Sequence, residues 1–360
     1  MSDAASTGVV ETDAVVIGAG PVGLFQVFQL GLLEIKAHVV DCLPHVGGQC
    51  VELYPNKPIY DIPGIQVCTG QELTHRLLQQ IAPFDAQFHL HQLVSSMERQ
   101  EDGRFLLSTS KGLQFLAKTV CIAAGVGAFQ HRTLPLAGIE KFADCQVFRS
   151  TGAAANCANQ QVVIVGNDDD ALDCAFKLCA GHDDGFASKA ASVTIINRRD
   201  ILTATPERIA LFQTLCSAGA IRFIAGQITA LCEIDGTLAE VDILGADNAS
   251  IRLPLDKLIL LLGLSPKLGP LAHWGLDMER RQLLVDTASF ATSERGVFAV
   301  GDINTYPGKR KLIVCGFHEA TLAAYGAAAI VFPDRRIAVQ YTTTSPRLHA
   351  LLGVGHPSKV

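Results

Sequence analysis

One segment limits the fold more than any other. The apolar run Val15-Val16-Ile17 passes directly into Gly18-Ala19-Gly20-Pro21-Val22-Gly23, and a helical stretch from Leu24 to Leu33 follows. A G-x-G-x-x-G in this setting is the turn of a dinucleotide-binding strand–helix–strand unit. Gly18 permits the tight turn, Gly20 lets backbone approach a pyrophosphate, and Gly23 lets helix and strand pack closely. The helix N-terminus adds free N–H groups and a positive dipole end for the phosphates. A second strand, Ala37 to Val40, ends on Asp41, whose carboxylate can accept hydrogen bonds from both ribose hydroxyls.

A related turn recurs later, where Val162-Val163-Ile164-Val165 leads into Gly166-Asn167-Asp168-Asp169-Asp170-Ala171. A helix from Ala171 to Cys179 follows, then a polar insertion at Gly181 to Lys189 and a strand, Val193 to Ile196, ending in Asn197-Arg198-Arg199. This repetition predicts an α/β chain of two Rossmann-like dinucleotide-binding domains, the second inserted into the first. The chain returns to the first domain with Val297 to Asp302, a strand that delivers Asp302 to the carboxyl edge of the sheet, where ligands of open α/β sheets bind. The expected boundaries are 1–127 for the first part of the outer domain, 128–265 for the inserted one and 266–360 for the rest.

A length of 360 residues suits two domains, and 49% apolar with 18% charged residues describes an ordinary globule. No apolar run reads as long enough to span a bilayer. Met1 to Val10 lacks the basic start and apolar middle of a secretion signal, so the expected compartment is the cytoplasm. A net charge of −6 argues against general nucleic-acid affinity. The one dense basic run is Lys309-Arg310-Lys311, which suits attraction of an acidic partner or simply a solvated turn.

Eleven cysteines include no C-x-x-C, so neither a metal knuckle nor a thioredoxin-type dithiol is signalled. Cys174 and Cys179 are the closest pair, and on a helix they stand about 140° apart. His89 and His91 alternate along an expected strand from Phe88 to Val94 with no carboxylate or cysteine partner for a metal. The stretch from Pro44 to Gly64 is too irregular for a helix, and its aromatic content argues for a functional loop. Helices are expected at Gln71 to Ile81 and Ile313 to Val331, and strands at Thr119 to Ala124, Ile221 to Ile224, Ala239 to Leu244 and Lys257 to Leu262.

Several longer strings narrow the reading. Gly-Ala-Gly-Pro-Val-Gly, Gly47-Gly48-Gln49-Cys50, Leu53-Tyr54-Pro55, Ile59 to Pro63, Gly301 to Lys309 and Tyr341-Thr342-Thr343 together resemble the ferredoxin–NADP reductases of the thioredoxin-reductase-like type, from about Val9 to Val354. The resemblance implies FAD on the first domain, NADPH on the inserted one, and a homodimer. It further implies that Gly18, Gly20 and Gly23 hold the FAD pyrophosphate and Asp41 its ribose. Gln49, Tyr54, Val94, Phe129, Asp302 and Thr343 would also contact FAD. Tyr54 would stack on one face of the flavin and Tyr341, from the dimer mate or the tail, on the other. Thioredoxin reductases themselves carry a dithiol where this chain reads Val147-Phe148-Arg149-Ser150-Thr151, so an internal redox dithiol is not expected.

The second turn departs from the pattern. The family reads Gly-Gly-Gly-Asp-Ser-Ala, so two glycines and a serine are replaced and two carboxylates are new. A unit charge about 5 Å from another costs roughly 3 kcal/mol at an effective dielectric near 20, and about 1.4 kcal/mol is tenfold in affinity. Beyond the turn, Arg198 and Arg199 stand where the family binds the 2′-phosphate of NADP with paired donors, while Thr203 replaces a further arginine. The expected function is therefore transfer of electrons between NADPH and a one-electron carrier, ferredoxin or flavodoxin, with the chemistry carried by the flavin. Two alternatives are a member whose flavin takes electrons from another donor because NADPH binding is impaired, and a non-catalytic FAD-holding redox-sensing dimer.

Overall fold

The computed structural model describes residues 8–150, 157–180, 189–338 and 341–354. Thr151 and the His182-Asp183-Asp184 insertion lie outside the described residues. The chain divides into two compact units, Met1–Phe129 with Pro266–Val360, and Gln130–Ser265.

The first unit is organised by the opening strand, β1 (Val10–Ile17), whose Ala14, Val15 and Val16 are wholly buried. Such a run, apolar on both faces, suits a parallel strand covered on both sides. The helix α1 (Pro21–Leu32) and the strand β2 (Ala37–Val40) follow, and β2 pairs parallel with β1 in the register Val16↔Val39. Gln87–His89 extends the sheet beyond β2, and Gln114–Ile122 pairs parallel on the other side of β1. That long strand shares its outer edge between two partners. Its first half takes the antiparallel strand Phe105–Thr109, and Val120 to Ile122 take Val297–Ala299 in parallel. The late strand is thus returned beside Gln114–Ile122.

The helix Gly70–Ile81 opens with a capping box, in which Thr69 accepts the Glu72 N–H while Glu72 accepts the Thr69 N–H. The helix Ile313–Val331 packs on α1 and on the sheet. Nineteen residues of mean hydropathy 1.3 make it long and apolar enough to cross a membrane, which corrects the reading that no run is. Its alanines 320, 323, 324, 327 and 328 and its Glu319 are fully buried against the unit, so it is built as a core helix.

The second unit repeats the plan. Its sheet runs Val147–Phe148, Lys257–Leu260, Gln161–Val165, Ser192–Asn197 and Arg222–Ile234 in parallel, continued by Thr237–Gly245 and Ser250–Pro254 in antiparallel. Arg222–Ile234 pairs in parallel up to Ala225 and then in a hairpin, turned at Asp235 (φ 50°) and Gly236 (φ 81°). Two left-handed residues make the tight turn whose twist matches the strands. The helices Asp169–Ala180 and Pro206–Ser217 contact one another.

Three local expectations change. The irregular loop contains one helical turn, Gln49–Glu52, started at Gly48 where φ is +50°. The strand expected from Phe88 to Val94 breaks at His91, whose φ of +56° is left-handed, leaving Gln87–His89 and Val94–Arg99. His89 and His91 therefore do not share a strand face. The helix Pro206–Ser217 and the strand Ser250–Pro254 escape a reading by periodicity, the helix because only Phe212 on it is buried.

Candidate functional site

The first turn opens onto a cleft of about 1190 Å³, including its solvent-open part, above the carboxyl ends of β1 and β2. The three glycines have different surroundings. A Cβ on Gly18, where φ is +110°, would lie 2.4 Å from the Ala123 carbonyl oxygen. One on Gly23 would lie 1.9 Å from the carbonyl oxygen of Gly18. One on Gly20 would meet nothing closer than the Gly48 Cα at 4.0 Å, and both glycines line the cleft. Protein packing therefore explains Gly18 and Gly23 but not Gly20, whose bare backbone faces space for a ligand.

The helix α1 starts with Gly20 as its cap residue and Pro21 in its first turn, and no side chain caps it. Its first-turn N–H groups are left for phosphate oxygens. Asp41 closes the far side of the turn. Its Oδ2 accepts the Ala19 N–H at 2.6 Å and its Oδ1 the Leu43 N–H at 2.8 Å. Burial pushes this carboxyl above the ordinary aspartate range, opposed by those two bonds. Gln49, Tyr54, Val94 and Asp302 line the same cleft. The Tyr54 hydroxyl is 3.5 Å from the Cys50 Sγ, and burial raises both groups, which keeps phenol and thiol protonated.

Asp302 is carried on a turn held from behind. Gly301 donates its N–H to Glu319 Oε2 at 2.7 Å, and Gln282 Nε2 donates to the Asp302 carbonyl at 3.1 Å. Glu319 also accepts from Asn304 Nδ2 at 2.8 Å, the Tyr306 hydroxyl at 2.9 Å and Lys309 Nζ. Lys309 is only 6% exposed, so the basic run presents Arg310 and Lys311 to solvent and turns Lys309 inward.

The second turn is built otherwise. A Cβ on Gly166 would lie 2.6 Å from the Leu261 carbonyl oxygen, so this glycine serves packing. Asp168 Oδ1 accepts the Ala171 N–H at 3.1 Å and caps the helix with the chain's own carboxylate. Asp169 accepts the Thr205 N–H at 2.8 Å, and Thr203 donates its N–H to the Asn167 carbonyl at 2.7 Å. Asp173 takes the Arg208 guanidinium at 2.7 and 2.9 Å. Burial, then the neighbouring carboxylates of Asp168, Asp173 and Asp169, pushes Asp170 above its ordinary range. Arg198 and Arg199 are exposed at the end of their strand, and Arg198 donates to Gln227 Oε1 at 3.1 and 2.8 Å.

The sequence profile of the pyridine nucleotide-disulphide oxidoreductases matches residues 12–323. The chain is 58% identical over 348 residues to a ferredoxin–NADP reductase of Albidiferax ferrireducens, covering 97% of each protein. It is 56% identical over 350 residues to one of Polaromonas sp. strain JS666, covering 97% of this chain and 94% of the relative. The chain belongs to the ferredoxin–NADP reductase family. Its fold is that of the thioredoxin reductases: the Lactococcus lactis enzyme superposes with a TM-score of 0.55 at 23% identity, over 89% of this chain and 99% of that one.

Set against this family's expected FAD contacts, the structure brings Gly18, Gly20, Asp41, Gln49, Tyr54, Val94 and Asp302 to one cleft, with Gly23 packed beneath it. Phe129 lies on the strand Ala128–His131. Tyr341 and Thr343 stand apart. Tyr341 is 72% exposed, Thr343 is exposed in the short helix Thr342–Thr344, and neither lines the cleft. Reasoning from sequence missed Cys50, Trp274, Lys311 and Ile313, which also line it. Cys50 stood within a quoted motif; Trp274 carried no signal, since its approach to Val94 depends on chain folding alone.

Proposed function

We propose that this protein is an FAD oxidoreductase that transfers electrons between NADPH and ferredoxin, with flavodoxin as the other candidate carrier. The observation that carries the FAD placement is the cleft of the first unit, where a bare Gly20, an uncapped helix end, Asp41 and Asp302 face one space. When bound, FAD supplies the conversion between hydride and single-electron transfer, so no side-chain nucleophile or general base is required. The chain's own part is placement. The α1 N-terminus holds the pyrophosphate, Asp41 accepts the ribose hydroxyls, and Tyr54 offers a neutral aromatic face to the flavin. Gln49 and Asp302 would contribute polar contacts to FAD, and Val94 and Phe129 further contacts.

NADPH is assigned to the second unit, with Gly166 shaping the turn and Arg198 and Arg199 donating to the 2′-phosphate. The domain limits proposed for these roles are 1–127 with 266–360 for FAD and 128–265 for NADPH.

A homodimer accounts for the tail. The helix Pro346–Leu351 is anchored by Arg347 Nη1, which donates to the Gly31 carbonyl at 2.8 Å, and by buried Leu348. Gly31 lies near the end of α1 opposite to Gly20. Tyr341 and Thr343 are therefore proposed to serve the FAD of a second copy. Cytoplasmic location, with neither membrane nor nucleic acid as partner, is part of the same reading and accords with the net charge of −6.

Anaerobic mixing of the purified protein with NADPH and with NADH tests the reading. Rapid bleaching of the flavin band by NADPH, followed by reoxidation on adding oxidised ferredoxin, is expected. A flavin bleached only by dithionite or by reduced ferredoxin would overturn the NADPH assignment.

A further inference from the structure

The Asp302 turn rests on a fully buried carboxylate paired with a nearly buried ammonium. Glu319 is 0% exposed and Lys309 6%. A buried ion pair contributes little net stability against an apolar replacement of the same volume, so stability alone does not account for this one. What this pair holds is specific. Glu319 accepts the Gly301 N–H at 2.7 Å, and Lys309 donates to the Gly301 carbonyl at 2.8 Å, so the two charges grip one residue from both sides. Gly301 has a φ of +79°, and both it and Asp302 line the cleft. The Tyr306 hydroxyl adds a third donor to Glu319, and Lys309 Nζ lies 5.4 Å over the Tyr306 ring. The remaining oxygen sites of Glu319 are taken by Asn304, which also donates to the Ala299 carbonyl at 2.8 Å.

We propose that Lys309 and Glu319 form a positioning pair for the FAD site: together they fix the Gly301-Asp302 turn, and their balanced charges set the electrostatic surroundings of the flavin. The inference rests on the assignment of FAD to this cleft. Gly301 is the link, because it is held by both members of the pair and lines the cleft assigned to FAD. Neither side chain lines the cleft, so both act through the turn and through their field.

The flavin midpoint potential distinguishes this from a role in folding alone. In Glu319→Gln the acceptor for the Gly301 N–H is kept and an uncompensated positive charge is left, so the potential at pH 6 should rise relative to the parent. In Lys309→Met an uncompensated negative charge is left, so the potential at pH 8 should fall. Shifts of opposite sign support the proposal. Unchanged potentials, or shifts of the same sign accompanied by a lower melting temperature, would overturn it. Should a single variant fail to retain flavin, the double variant Lys309→Met/Glu319→Gln, which strands no charge, replaces it. A potential near the parent's with FAD affinity weakened roughly tenfold by the lost Lys309 bond to Gly301 supports the pair's role. Unchanged FAD affinity in that variant would refute it. A parent protein that purifies and reconstitutes without any flavin band sinks the FAD assignment itself, a result separable from all of these.

Discussion

Gly23 lies so close to Gly18 that a Cβ added to it would stand 1.9 Å from the Gly18 carbonyl oxygen, whereas two residues from Gly18 a Cβ on Gly20 would meet nothing closer than the Gly48 Cα at 4.0 Å. The same motif therefore contains residues conserving packing and a residue reserving room for a ligand. Gly23→Ala should destabilise the apoprotein by about 3 kcal/mol or more, through overpacking against backbone that has no room to yield. Gly20→Ala should leave the apoprotein's melting temperature within error and weaken FAD binding at least about tenfold. Thermal unfolding without FAD and fluorescence titration with it separate the two, and equal losses of stability would contradict the division of roles.

Asp168 caps with its own carboxylate a helix at the turn proposed for NADPH, its Oδ1 accepting the Ala171 N–H at 3.1 Å. Asp168→Gly removes the charge, and glycine at a cap position costs only a few tenths of a kcal/mol relative to aspartate. The expected result is a KM for NADPH lowered about tenfold or more with kcat little changed. Steady-state kinetics at low ionic strength check it, and an unchanged KM would show that the acidic turn is not what limits affinity.

Arg198 and Arg199 are exposed, and Arg198 donates to Gln227. Replacing both by Gln should raise the KM for NADPH about tenfold or more while leaving that for NADH within about twofold, because only NADPH carries the 2′-phosphate. Parallel loss with both coenzymes would place the phosphate contact elsewhere.

His38 Nδ1 and His89 Nε2 meet at 2.9 Å beside Phe115. Burial holds both imidazoles below the ordinary histidine range, and the His89 charge lowers His38 further. The folded state therefore resists protonation. Below about pH 6.5 the unfolded chain takes up protons that the native state refuses, so stability is lost as pH falls through the window down to the lowered native values. Urea midpoints at pH 7.5 and 5.5 should show this loss, and His89→Gln should make it shallower. An identical slope in the variant would remove the pair as its source.

Much of the first site is legible because its parts are neighbours in the chain. The strand, the turn and the helix start of Val15 to Leu33 are set by local backbone chemistry, and Asp41 follows at the end of the next strand. The extent of β2, Ala37–Val40, and of the helix Ile313–Val331 also follows from periodicity and length. The helix Pro206–Ser217 does not, since it offers little apolar face to recognise. Nor does the break at His91, because a left-handed non-glycine residue carries no strong mark in sequence.

The residues alone specify two α/β units, the turn and acid of a dinucleotide site, and an acidic counterpart whose new carboxylates stand in place of a glycine and a serine. Folding decides what those residues face. It sends Lys309 inward to Glu319, 10 positions on, sets His38 against His89, 51 positions away, and leaves Tyr341 outside the cleft of its own chain. Short-range backbone preferences can be read from adjacent residues, but burial and pairing are properties of contacts between distant ones, and those exist only once the chain has closed on itself.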